Sequence, residues 1–167
     1  MQPLKYLQGY PSNVLDQVNQ LLEKEALGDF LLKKYPKSHD IRSEKQLYDF
    51  VIKMKNQYLK SSSPISKVAF DGKIQMAQNA LGLNSVVSRV QGGKLKSKSE
   101  IRIAVLFKNA PLPFLNMIVA HELAHLKERN HDKSFYSLCC YMLPDYHQLE
   151  FDVRLYLTYL DNNLALY

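Results

Sequence analysis

Apolar residues recur at helical spacing at Leu15, Val18, Leu21 and Leu22, predicting a first helix that Ser12 can cap and that Gly28 interrupts near its end. Phe30-Leu31-Leu32 adds a shorter apolar turn before Pro36. Ser43 and Gln46 have the spacing of a capping box, and the helix they open would bury Leu47, Phe50, Val51, Met54 and Tyr58. Ser61-Ser62-Ser63-Pro64 then breaks the chain. Beyond it Lys67-Val68-Ala69-Phe70 reads as a short strand, and Lys73 to Leu81 as a helix stopped by Gly82. Two β-branched runs, Val86 to Val90 and Ile101 to Val105, flank Gly92-Gly93 and suggest a hairpin. Leu115 to Ala120 is an apolar helical segment. Phe135, Leu138, Cys139 and Met142 form the stripe of the next helix, with Asp132 or, more weakly, Ser134 as its N-cap. A final helix would carry Leu149, Val153, Tyr156, Leu157 and Leu160 behind an Asp145/Gln148 capping box.

Helices first and mixed elements later give an α+β fold class. The serine-rich break divides a helical N-terminal extension, residues 1–60, from the core, residues 61–167, on which it is expected to pack. A chain of 167 residues with 46% hydrophobic content can bury a real core. Its two cysteines, Cys139 and Cys140, are adjacent, so no disulfide framework is expected; Cys139 on its apolar stripe reads as a small core residue. The N-terminus lacks an apolar signal region and no run is long enough to span a membrane, which points to a soluble, cytoplasmic protein.

Chemistry concentrates in His121-Glu122-Leu123-Ala124-His125. Two histidines four residues apart lie about 40° from each other around a helix and one turn apart, so both imidazoles can reach one metal ion. Glu122 sits where it could take a proton from water at the metal's open position. A third ligand is needed, and His131 follows. In a continuous helix it would lie about 15 Å along the axis from His121, too far for one ion, so the chain must turn between them. Lys127 and Arg129 suit a helix C-terminus, and Asn130 tolerates the left-handed conformation that ends helices. Glu150 and Asp152 are alternative ligands whose spacing fits less well, and His39 reads as a surface loop residue.

The run from His121 to Glu128, followed by Asn130-His131, Lys133, Phe135 and Pro144-Asp145-Tyr146, resembles the signature of the YgjP-like metallopeptidase family, small bacterial proteins similar in their metal-binding core to SprT-like proteases. The likeness is tight over about residues 111 to 147 and looser from about residue 84. It implies a zincin-like core, a small sheet packed on the active-site helix. It also implies Zn²⁺, one per chain, on His121, His125 and His131, with Glu122 as general base. Metzincins share the histidine spacing but carry glycine where this chain has Glu128. The family's Arg-Trp-Gly-Ser-Cys segment reads here Arg89-Val90-Gln91-Gly92-Gly93, so a substrate groove shaped by it would differ.

The expected activity is therefore zinc-dependent hydrolysis of peptide bonds in a protein or peptide substrate. Tyr136, Tyr141, Tyr146 and His147, near the motif in sequence, and Arg89 are candidates for contacting the substrate or stabilising the oxyanion. The run Ile101 to Val105 is the candidate edge strand for pairing with an extended substrate. Arg89, Lys94, Lys96, Lys98 and Arg102 face only Glu100 in a chain of net charge +6, so contact with nucleic acid is an alternative use of the hairpin. Two rival functions follow: a metal-stabilised module binding nucleic acid through that hairpin, and a zinc hydrolase of phosphodiesters.

Overall fold

The computed structural model describes residues 4–74, 89–91 and 98–167, with the backbone alone described at 89–91 and Lys98. The helix predicted behind Lys73 from residue 75 onward, the strand residues 86–88, the side chain of Arg89 and the basic loop 92–97 lie outside the described residues.

Helix α1, Ser12–Glu23, starts at its predicted cap: Pro11 is the N-cap and Ser12 is already helical, with no side-chain capping hydrogen bond. Glu25, at φ 52°, is the positive-φ non-glycine residue among those described and turns the chain into α2, Leu27–Lys34. Gly28 therefore lies inside α2 rather than ending α1. A Cβ there would come within 2.8 Å of the Tyr159 ring, so the glycine permits a close approach of that helix to the ring. Helix α3, Glu44–Tyr58, opens with the predicted capping box between Ser43 and Gln46. Of its expected face, Leu47 and Val51 are fully buried, and Phe50, Met54 and Tyr58 pack against the core more loosely.

Strand β1, Ile65–Asp71, lies parallel to β3, Lys98–Ala104, and β2, Arg89–Gln91, pairs antiparallel with β3. The order is β1-β3-β2. The hairpin expectation holds, but β3 is the central strand. It takes β1 along Ser99 to Ala104 and β2 along Lys98 to Glu100, so among the described residues Ile101 to Ala104 is paired on the β1 side alone. Helix α3 packs on β1, which lies on the side of β3 opposite β2.

A 3-10 turn, Val105–Asn109, leads into α4, Leu112–Ala124, with Pro111 as N-cap. From Phe114 to Ala124 every residue of α4 except Asn116 is buried, the pattern of a helix enclosed on all sides. Helix α5, Lys133–Met142, starts where Asp132 accepts a hydrogen bond from the Phe135 amide at 3.0 Å, as predicted. Asp132→Ala is expected to cost about 1 kcal/mol, read as a lower denaturation midpoint with unchanged slope. Helix α6, Tyr146–Leu160, follows Asp145, whose side chain makes no capping bond; Gln148 instead donates to Asp152 at 3.1 Å. The capping box foreseen there is absent because Gln148 is engaged one turn further on.

One apolar core runs from Tyr6 and Leu7 through Leu27, Leu31, Leu47 and Val51 to α4 and to Val153 and Leu157 on α6. His39 corrects its reading as a surface residue. It is 5% exposed, its Nε2 lies 2.7 Å from the Phe107 carbonyl, and its Nδ1 accepts from the Ile41 amide. A carbonyl can only accept, so His39 is the neutral Nε2–H tautomer. Among the described residues, no helix is long and apolar enough to cross a membrane.

Candidate metal centre

Helix α4 ends at the second histidine of its motif, with His125 as C-cap. The chain then tightens: Leu126 bonds back to Leu123, and Lys127 and Glu128 both bond to Ala124. Asn130 takes no part in a left-handed stop, contrary to expectation, because these short-range bonds have already turned the backbone. The turn carries His131 back over His125.

The result is a cup of three imidazoles. One ring nitrogen from each of His121, His125 and His131 lies within 4.8 Å of the other two. The Nε2 atoms of His125 and His131 are 3.0 Å apart. Tetrahedral zinc with bonds of about 2.0–2.1 Å holds its nitrogen ligands about 3.3 Å apart, so small ring rotations suffice. The Nε2 of His121 is buried without a hydrogen-bond partner, which is costly unless a ligand completes it. The His125 Nδ1 lies 2.9 Å from the Glu128 carbonyl, an acceptor only, so Nδ1 carries the proton and Nε2 keeps its lone pair. These donors fit a divalent transition metal. Burial, with the neighbouring imidazoles, pushes His121 well below the usual histidine range; burial likewise lowers His125 and His131, favouring the neutral, ligating form.

Glu122 shares the helix turn with His121, its Oε1 3.9 Å from the His121 Nε2. Its Oε2 is buried with no partner, and burial alone pushes the carboxyl well above the usual carboxylate range. A cation in the cup would restore its ionisation.

Two aromatic residues complete the cup. Phe135, fully buried, lies with its ring centroid 4.9, 4.6 and 4.8 Å from those of His121, His125 and His131, and so forms a floor beneath all three. Tyr146 puts its hydroxyl 2.7 Å from the His121 Nδ1. The sequence placed Phe135 on a core stripe and Tyr146 among the groups that could stabilise the oxyanion, whereas the hydroxyl meets a histidine. The signal available for Phe135 was its position three residues after the Asp132 cap, which aims it back at the preceding turn. For Tyr146, 25 residues from its histidine, local spacing carried no signal.

The other candidates stand further off. Tyr136 is half-buried against Phe135, Tyr146 and His147. His147 is exposed beside Tyr136 and Tyr146. Tyr141 is 62% exposed and meets Tyr58 edge-on. It borders a shallow cleft of about 490 Å³ with Lys127, Lys133, Ser134 and Ser137, next to the turn that carries the cup. Arg89 lies on β2 opposite Glu100. Arg102 is bound to Asp71 at 3.0 Å and Glu100 at 3.1 Å, so its charge is already matched within the sheet. Glu150 pairs with Arg154, and Asp152 with Lys34, Tyr35 and Gln148, which occupies both carboxylates away from the cup. A larger groove of about 910 Å³ between α1, α2 and the end of α6 includes none of the candidate site residues.

The family model described as the YgjP-like, metallopeptidase domain matches residues 18–153. A curated relative, the UTP pyrophosphatase of Escherichia coli (strain K12), is 58% identical over 160 residues, covering 96% of this chain and 96% of the relative. No solved structure matches.

Proposed function

Since this chain belongs to the YgjP-like metallopeptidase family, we propose that it is a metal-dependent hydrolase acting on a phosphoanhydride bond of a nucleoside triphosphate such as UTP. The observation that carries the hydrolase reading is the three-histidine cup with the unpartnered Glu122 carboxylate beside it. The substrate class is supported by the near-complete overlap with the UTP pyrophosphatase. Lys127 and Lys133, which outnumber Glu128 in the lining of the cleft beside the cup, offer positive charge for a polyphosphate.

His121, His125 and His131 would hold the cation, zinc by their donor type, within a zincin-like core. Such a cation supplies Lewis acidity, making water easier to deprotonate and offsetting negative charge on the substrate. Glu122 accepts the proton that the attacking water loses as its oxygen bonds to phosphorus and the bond to the leaving pyrophosphate breaks. Phe135, fully buried against the three imidazoles, keeps the inner side of the cup dry, which strengthens these electrostatic effects. The family description and the HExxH order favour a second reading, hydrolysis of a peptide bond by the same groups.

The deciding assay presents purified protein with UTP and, separately, with unfolded protein and peptide libraries, before and after chelation and metal return. Chelator-sensitive release of pyrophosphate from UTP, with the peptides left intact, is the expected outcome. Peptide cleavage without nucleotide turnover would transfer the assignment to the second reading.

A further inference from the structure

The imidazole of His121 and the phenol of Tyr146 are both closed off from solvent, at 2% and 0% exposure, and bonded at 2.7 Å. Two arrangements satisfy that contact. If the phenol donates, His121 Nδ1 is the acceptor and the ring proton sits on Nε2, facing the cup, where it would block a metal. If His121 Nδ1–H donates, the Nε2 lone pair faces the cup. The orphaned Nε2 and its convergence with His125 and His131 favour the second arrangement.

We infer that Tyr146 is a positioning residue that accepts the Nδ1 proton of His121 and thereby holds its Nε2 lone pair toward the metal. The inference rests on the reading of the cup as a metal site. The other side of the cup has the matching device, since the Glu128 carbonyl fixes His125 in the same tautomer through its own Nδ1. His121 thus receives from a helix 25 residues away what His125 receives from its own turn. The hydroxyl has its own proton to place, and the neighbouring buried Cys139 thiol is a weak acceptor for it. Tyr146 begins α6, so the orientation of His121 depends on how that helix docks against α4. Partners of this kind on metal-bound histidines typically govern 10- to 100-fold in metal affinity, on the order of what a fixed tautomer and ring angle contribute.

The test is Tyr146→Phe, which removes one oxygen and keeps the ring. Imidazole nitrogen NMR on the metal-free protein should show His121 as the Nδ1–H tautomer in wild type and a mixture in the variant. Zn²⁺ titration should show affinity weakened about 10- to 100-fold in the variant. A merely structural tyrosine would lower the melting temperature without moving the tautomer. An unchanged tautomer together with unchanged zinc affinity would overturn the inference. So would an Nε2–H tautomer of His121 in metal-free wild type, a measurement that needs no variant to fold. If wild type binds no Zn²⁺, the metal reading fails, while the metal-free tautomers still decide the role of Tyr146.

Discussion

Glu122→Gln is expected to lose hydrolysis by at least about 10²- to 10⁴-fold while retaining about one metal per chain. The reasoning starts from geometry. The Glu122 carboxylate has one oxygen 3.9 Å from the His121 Nε2 and the other without a partner, so it is poised to receive a proton at the cup. Glutamine keeps the size and planarity of the group but has no basic oxygen of comparable strength. None of the three imidazoles depends on Glu122 for its orientation: Tyr146, the Glu128 carbonyl and the Phe135 ring hold them. Metal content by elemental analysis should therefore be unchanged while turnover disappears. Burial already favours the neutral carboxyl in the metal-free cup, so the uncharged amide should leave the melting temperature of the metal-free variant close to that of wild type. Full activity in Glu122→Gln would remove Glu122 from the mechanism and leave the base unidentified.

Asp152→Ala is expected to produce the largest loss of stability. This carboxylate is 1% exposed, and it accepts from the Lys34 ammonium at 2.7 Å, the Tyr35 hydroxyl and the Gln148 amide. It joins α6 to α2 across the core. Truncation leaves the buried Tyr35 hydroxyl without its acceptor and opens a space beneath it. Breaking a buried charged contact typically costs about 3–5 kcal/mol. Lys34 is 41% exposed and can return to water, so the lower end, about 3 kcal/mol, is expected. For a domain of this size that corresponds to a melting temperature lower by about 6–12 °C. Asp152→Asn should be milder, since the amide oxygen still accepts from Tyr35. Equal stability of wild type and Asp152→Ala would show that Tyr35 and Lys34 find other partners. Metal content should not change in either variant, which separates this carboxylate from the cup despite its sequence proximity.

What could be read from the chain was what depends on neighbours in sequence. The Ser43–Gln46 box, the Asp132 cap, the apolar α4 and the approach of His131 to His125 all follow from spacing within about two helical turns. The features that escaped reading depend on distant partners. His39 sits among polar neighbours, yet the carbonyl that buries it is Phe107, 68 residues away. The central place of β3 rests on its pairing with β1 across residues 72–97, which alternation within the strand cannot reveal. Among 11 tyrosines, only docking of α6 against α4 distinguishes Tyr146 as the one that reaches His121. Asp145 and Gln148 had the right spacing for a box, but Asp152 competed for the amide and won.

The parallel pairing of β1 with β3 also shapes how the chain must come together. Residues 72–97 separate the two strands, so β1 leaves the ribosome well before the strand that completes it. Until Lys98–Ala104 arrives, β1 presents bare amides and carbonyls on the side that will later be the interior of the sheet. Helix α4, buried on every side in the finished fold, emerges later still and cannot be sheltered until α6 is made. Synthesis therefore exposes the stickiest surfaces before their cover exists, and places the cost of assembling the cup on the last helix to be born.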